Sequence, residues 1–135
     1  VTSREPKGWL LDTHALIWSL YRDRRLSARA AALIDGDLPI YSSTVSFWEI
    51  ALKRAGSGFD VEVDDEWHIF IPRELSRLNI FRLETEAADC RTMEAFPKHH
   101  RDPFDRMLIA QALSRGLGVI SHDVILDDYG VMRAW

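Results

Sequence analysis

The feature that most limits how this chain can fold is a short apolar run, Gly8-Trp9-Leu10-Leu11, that stops on Asp12 and gives way at once to residues of helical period. A run this short and this continuously apolar reads as a buried strand. Pro39-Ile40-Tyr41, Asn79-Ile80-Phe81-Arg82-Leu83 and Val119-Ile120-Ser121 read the same way, and Val131-Met132-Arg133 is a candidate fifth strand. Helical segments are expected between them at 14–21, 28–34, 45–54, 64–78 and 84–94, with another opening at Pro103 and ending before Gly116. Thr13 and Ser27 can cap the first two, and Pro72 is expected to kink or split the fourth. Residues 59–63 alternate, as a loop or weak strand. Strands alternating with helices predict an α/β sandwich: a mostly parallel central sheet of four to five strands with helices on both faces. Residues 1–7 are expected to fray. Without repeats or linkers, residues 1–135 are expected to form one domain.

Charge matters to what such a fold could bind. With 21 acidic residues against 17 Lys and Arg, the net charge is -4, and no overall basic footprint is present. A polyanionic substrate would need a bound cation or a local basic patch. The single Cys90 excludes an internal disulfide framework and a cysteine-rich zinc site. No apolar run is long enough to span a membrane and no secretory leader is evident, so the cytoplasm is the expected location.

The stretch from His100 to Ala112 carries an anomaly. Asp102 suits an N-cap and Pro103 the first helical position. Phe104, Leu108, Ile109 and Ala112 then make an apolar face, with Asp105 on or beside it. A carboxylate there is costly to bury unless something pairs with it; alternatively it serves the helix dipole in the first turn. The anomaly recurs. Asp12 and Asp123 each follow an apolar strand, and in a parallel sheet the carboxyl ends of strands face one crevice. Glu49 lies within the apolar surface of Val45-Ser46-Phe47-Trp48-Glu49-Ile50-Ala51-Leu52.

Each acid has a plainer use. Asp12 can cap a helix, Glu49 can pair with Lys53 four residues on, and Asp123 can open a turn. Together, however, those uses leave two acids on apolar faces without evident partners. Four carboxylates in one pocket need a counter-charge, and hard oxygen donors select Mg²⁺ or Mn²⁺. Such ions serve phosphodiester chemistry. Thr13, Ser46 and Ser121 adjoin the acids and either orient them or make capping and strand-end hydrogen bonds. His14, His99, His100 and His122 read as surface or substrate-side residues rather than ligands.

Leu10-Leu11-Asp12-Thr13-His14-Ala15-Leu16-Ile17-Trp18, Ser46-Phe47-Trp48-Glu49-Ile50-Ala51, His100-Arg101-Asp102-Pro103-Phe104-Asp105-Arg106 and Ser121-His122-Asp123, in this order, resemble the PIN-domain ribonucleases, and more narrowly the VapC-type toxins of toxin–antitoxin pairs. The resemblance implies a PIN-like three-layer sandwich and a metal-dependent endoribonuclease. Asp12, Glu49, Asp105 and Asp123 would be the catalytic acids and the ligands of Mg²⁺ or Mn²⁺, with Asp127 and Asp128 close to the last. It implies structured RNA (tRNA or rRNA) as substrate, a VapB-like antitoxin as partner and a homodimer. Many members carry an aromatic residue shortly after the last acid, where this chain has Val124-Ile125-Leu126. Two basic groups, Arg22, Arg24, Arg25 and Arg29, and Lys98, Arg101 and Arg106, are placed to contact RNA phosphates or to form a solvated surface. Arg25, Arg101 and Arg106 are the foremost candidates. Trp18, Tyr21 and Trp67 are either partner anchors or core.

Other functions compete. A metal-dependent small-molecule phosphatase with an aspartyl nucleophile usually has a second Asp two residues after the first, where this chain has His14. A receiver-like signalling module needs a Lys at a late strand end, where this chain has Ser121-His122-Asp123. A non-catalytic RNA- or partner-binding relative is the third alternative, and the intact acids argue against it.

Overall fold

The computed structural model describes residues 5–56, 63–97 and 102–135. Five strands, β1 (Trp9–Leu11), β2 (Ile40–Ser43), β3 (Phe81–Leu83), β4 (Gly118–Ile120) and β5 (Arg133–Ala134), form one sheet in the order β3-β2-β1-β4-β5. Every pairing is parallel. The helices are α1 (Thr13–Leu20), α2 (Ala28–Ile34), α3 (Val45–Ala55), α4 (Trp67–Arg77), α5 (Ala87–Glu94) and α6 (Pro103–Arg115).

Strand alternation sorts the core into two layers. Trp9, Leu11, Ile40 and Ile120 face one side and pack with Leu16, Ile17, Ile50, Ile71 and Leu75 of α1, α3 and α4. Leu10 and Val119 face the other and pack with Phe104, Leu108, Ile109 and Ala112 of α6. The expected three-layer α/β sandwich is the architecture observed, with the sheet wholly parallel. The chain leaves β1 toward β2 and β3 on one side and later returns to lay β4 and β5 on the other. The order therefore reverses between β1 and β4, and a crevice forms beyond the carboxyl ends of strands at such a point. Asp12 and Asp123 follow those two strands.

Several local expectations change. Asp12, not Thr13, is the N-cap of α1, its Oδ1 accepting from Ala15 N–H at 2.8 Å. Pro72 neither ends nor divides α4, which runs through it as one helix held by buried Ile71 and Leu75. The acidic residues before α4 form a turn instead, with Asp64 accepting from Glu66 N–H at 3.0 Å. α5 starts at Ala87 rather than at residue 84, because Glu86 and Asp89 close a reciprocal capping box there. β3 starts only at Phe81, since Asn79 turns the chain in the left-handed region at φ 57. β5 starts at Arg133, two residues later than expected, and ends at Ala134. Lys7 is tied down by its N–H to Gly116 O at 2.9 Å, so fraying does not reach it. Residues 59–62 of the expected loop or weak strand, and Lys98 to Arg101, lie outside the described residues. No helix among the described residues is long and apolar enough to cross a membrane.

Candidate functional site

The acids come from four separate elements. Asp12 caps α1 at the end of β1, Glu49 lies mid-way along α3, Asp105 is in the first turn of α6, and Asp123 follows β4. Asp12 is 8% exposed and Glu49 2%; Asp105 is half-buried and Asp123 exposed.

Glu49 has partners on both oxygens. Thr13 Oγ1 donates to Oε1 at 2.5 Å, and Lys53 Nζ lies 2.9 Å from Oε2. The pairing with Lys53, an alternative in the sequence, is thus real, and the expectation of a partnerless Glu49 is corrected. A hydroxyl has one proton. Thr13 gives its proton to Glu49, so Ser46 is the donor in the 2.9 Å contact between their hydroxyls. The chain Ser46–Thr13–Glu49–Lys53 therefore has a fixed direction and joins the start of α1 to α3.

Ser121 joins the other two strand-end acids. Its Oγ accepts from the Asp123 N–H at 3.1 Å, and its hydroxyl is close enough to Asp12 to favour the ionised carboxylate. Asp123 in turn caps a 3₁₀ turn, Val124–Tyr129, that the sequence pattern does not announce, accepting from Ile125 N–H at 3.1 Å. The loop after the last acid is thereby defined, with Leu126 in the core. Asp127 is turned away to Arg133 at 3.0 Å.

Charge converges on Asp105. Burial, then the negative charges of Asp102, Asp12, Glu49 and Asp123, push its carboxyl up to about 8. Asp12 is also raised, chiefly by burial, with the Ser121 hydroxyl, the bond from Ala15 N–H and the pull of His14 opposing and the charge of Glu49 adding to the rise. Lys53 moves upward even though burial pulls the other way, because Glu49, then Asp102 and Asp105, favour its charged form. Asp102 acts as the cap its position suggested, accepting from Phe104 and Asp105 N–H at 2.9 and 3.3 Å.

Among the described residues, no three acidic, His or Cys side chains are gathered closely enough to hold a metal ion. The donor chemistry nonetheless fits a hard divalent cation. Hard oxygen donors on four elements share one electrostatic environment, with Lys53 as the cation pairing Glu49.

A sequence profile described as the PIN domain matches residues 9–131. The chain belongs to the PIN-domain family. Three solved structures show the same fold: VapBC2 from Rickettsia felis bound to a promoter DNA fragment (10% identity, TM-score 0.68, 94% of this chain and 98% of that one), FitAcB from Neisseria gonorrhoeae (19%, 0.63, 93% and 95%) and a toxin–antitoxin complex from Klebsiella pneumoniae (17%, 0.57, 86% and 87%). Among curated proteins no sequence match was found.

The basic candidates of this PIN domain divide. Arg106 is committed to the fold, donating to Pro97 O at 2.9 Å and Met93 O at 3.3 Å with its guanidinium over Phe96. Arg25 is exposed, forked onto Asp23 at 2.9 and 3.0 Å, and lies over the Trp18 ring. Arg101 falls outside the described residues. Trp18 is core rather than a surface anchor, while Tyr21 and Trp67 are half-buried against Phe70 and Phe47. Trp48, beside Glu49, is 61% exposed and packs edge-on against Phe104. Lys53 is a member of the site that the sequence motifs do not single out; its i, i+4 spacing from Glu49 is the signal that points to it.

Proposed function

We propose that this PIN domain is a Mg²⁺- or Mn²⁺-dependent endoribonuclease toxin that cleaves structured cellular RNA and is held inactive by a cognate antitoxin. The burial of Asp105 and the convergence on it of the Asp102, Asp12, Glu49 and Asp123 charges carry the reading. A carboxyl pushed up to about 8 by burial and by other acids is a costly arrangement for a fold to keep without a cation to use it. The structural likeness to a Klebsiella pneumoniae structure described as a toxin–antitoxin complex supports the toxin and antitoxin part.

Asp12, Glu49, Asp105 and Asp123 would hold the ion, which supplies Lewis acidity and a water acidic enough to attack a phosphodiester near neutral pH. This chain's residues set the stage. Thr13 and Ser46 fix the Glu49 carboxylate, Ala15 N–H holds Asp12, and Ser121 orders the backbone at Asp123. Lys53 neutralises Glu49 and is near enough to feel Asp102 and Asp105, and its charge would offset part of the acids' repulsion of a phosphate. Self-association as a homodimer belongs to the same reading.

The test is cleavage of total tRNA and rRNA by purified protein with Mg²⁺, Mn²⁺ or chelator, alongside growth on expression. Wild type should cleave only with divalent ion and arrest growth. Asp12→Asn and Asp105→Asn should each lose more than about 100-fold in rate, beyond the usual effect of altering a residue that merely orients a ligand. Cleavage by either variant at the wild-type rate overturns the assignment.

A further inference from the structure

Four rings run in contact beside the acids. His14 packs on Trp18 at 5.3 Å between centroids, Trp18 meets Trp135 edge-on at 5.7 Å, and Trp135 meets His122 edge-on at 5.6 Å. The Arg25 guanidinium lies 5.0 Å from the Trp18 ring centre. The array lies next to two of the acids: His14 is two residues beyond Asp12 and acts on its charge, and His122 directly precedes Asp123. Trp18 is buried and anchors the group, His14 and Trp135 are half-buried, and His122 and Arg25 are exposed.

We propose that His122 and Trp135 form a stacking subsite for a nucleobase next to the cut phosphate, with His14 and Arg25 beside it as contacts for the phosphate backbone. The proposal rests on the ribonuclease reading above. Three observations carry it. Every nucleobase offers a π-face, so aromatic rings accept single-stranded RNA with little regard to sequence. Rings anchored on a core tryptophan are already ordered and lose little freedom on binding. Finally, the rings sit beside the acids, His14 two residues beyond Asp12 and His122 directly before Asp123, so a base stacked on His122 or Trp135 would lie next to the acids that act on its phosphate. The fork of Arg25 onto Asp23 keeps its guanidinium over the indole rather than ranging through solvent.

The experiment measures kcat/KM on a short RNA carrying one cut site, against versions abasic at single positions on either side of the cut. Both wild type and His122→Ala are assayed with Mg²⁺. In wild type, one abasic position should cost about tenfold, as for loss of one base–aromatic stack. His122→Ala should cost a similar factor on intact RNA, through KM, and the two changes together no more than either alone. An unchanged Mn²⁺-induced shift in thermal unfolding of His122→Ala shows that the acids are undisturbed. His122 is exposed, so the variant should fold. Multiplying losses, or equal rates for His122→Ala and wild type on intact RNA, overturn the stacking subsite. If wild type cleaves no RNA with any divalent ion, the ribonuclease reading itself fails and takes the subsite with it.

Discussion

Lys53 Nζ lies 2.9 Å from Glu49 Oε2, so a carboxylate only 2% exposed is neutralised by a lysine one turn further along its own helix. The lysine side chain is itself 33% exposed and stands partly in solvent.

Lys53→Met should therefore leave a buried carboxylate without its cation. Breaking a fully buried pair costs about 3–5 kcal/mol; the exposure of Lys53 brings the expected loss down to roughly 2 kcal/mol. Mn²⁺ should restore more stability to this variant than it adds to wild type, because the ion no longer competes with the ammonium. Thermal unfolding of both proteins with and without Mn²⁺ reads this, and a smaller Mn²⁺ gain in the variant would contradict it.

Thr13→Val keeps the shape of the side chain and removes the hydroxyl that Ser46 and Glu49 share. A loss of about 1–3 kcal/mol in stability is expected, since Ser46 and Glu49 are left short of a partner in a buried place. Metal affinity should fall roughly 10- to 100-fold, as when a residue orienting a ligand is lost. Titration calorimetry with Mn²⁺ checks the second effect independently of the first.

The Asp105 carboxyl is held at about 8 in the fold against an ordinary value of 3.8. The folded state therefore binds more protons than the unfolded chain between about pH 4 and 8. The cost of ionising Asp105 is absent below that window and grows through it, so this residue makes metal-free stability fall as pH rises from about 4 to 8. Asp105→Asn should remove that part of the slope, leaving the variant more stable than wild type near pH 8 and closer to it at about pH 4. Mn²⁺ should narrow the gap. At about 100 times its dissociation constant the ion stabilises wild type by roughly 2.7 kcal/mol, most of which the variant should lose. Denaturant unfolding across this pH range, with and without Mn²⁺, decides it. A variant less stable than wild type at about pH 8 without metal would mean that Asp105 serves only the helix start.

Gly118 opens β4 opposite Trp9, and a Cβ there would run into the six-membered ring of that indole. Gly118→Ala should cost about 1–3 kcal/mol by overpacking. β1 and β4 carry Asp12 and Asp123 at their ends, so the loss should appear together with weaker Mn²⁺ binding. Chemical denaturation and metal titration of the variant measure the two.

Much of this protein is written in local sequence. Apolar runs of three or four residues can bury both faces only in the middle of a layered fold, which is why Trp9–Leu11 and Gly118–Ile120 are legible as strands from their residues alone. Asp102-Pro103 sets the start of α6, because an acceptor followed by a residue without an N–H is what a helix start needs. The acids are conspicuous for the same reason: a carboxylate in an apolar context is costly, and the cost shows in the sequence.

Only the tertiary structure could decide who partners whom. Thr13 and Glu49 are 36 residues apart, and whether Thr13 caps a helix or orients an acid depends on where α3 passes α1. Arg106 reads in sequence as a phosphate contact, yet Pro97 and Met93 take its donors in the fold. The path of α4 through Pro72 follows from buried Ile71 and Leu75 outweighing a local helix-breaking preference. The four rings from His14 to Trp135 come from both ends of the chain and meet because the parallel sheet brings the ends of β1 and β4 side by side. Sequence determines which groups are costly to bury; only the packed sheet determines which of those costs are offset by a neighbour and which are left for a ligand to relieve.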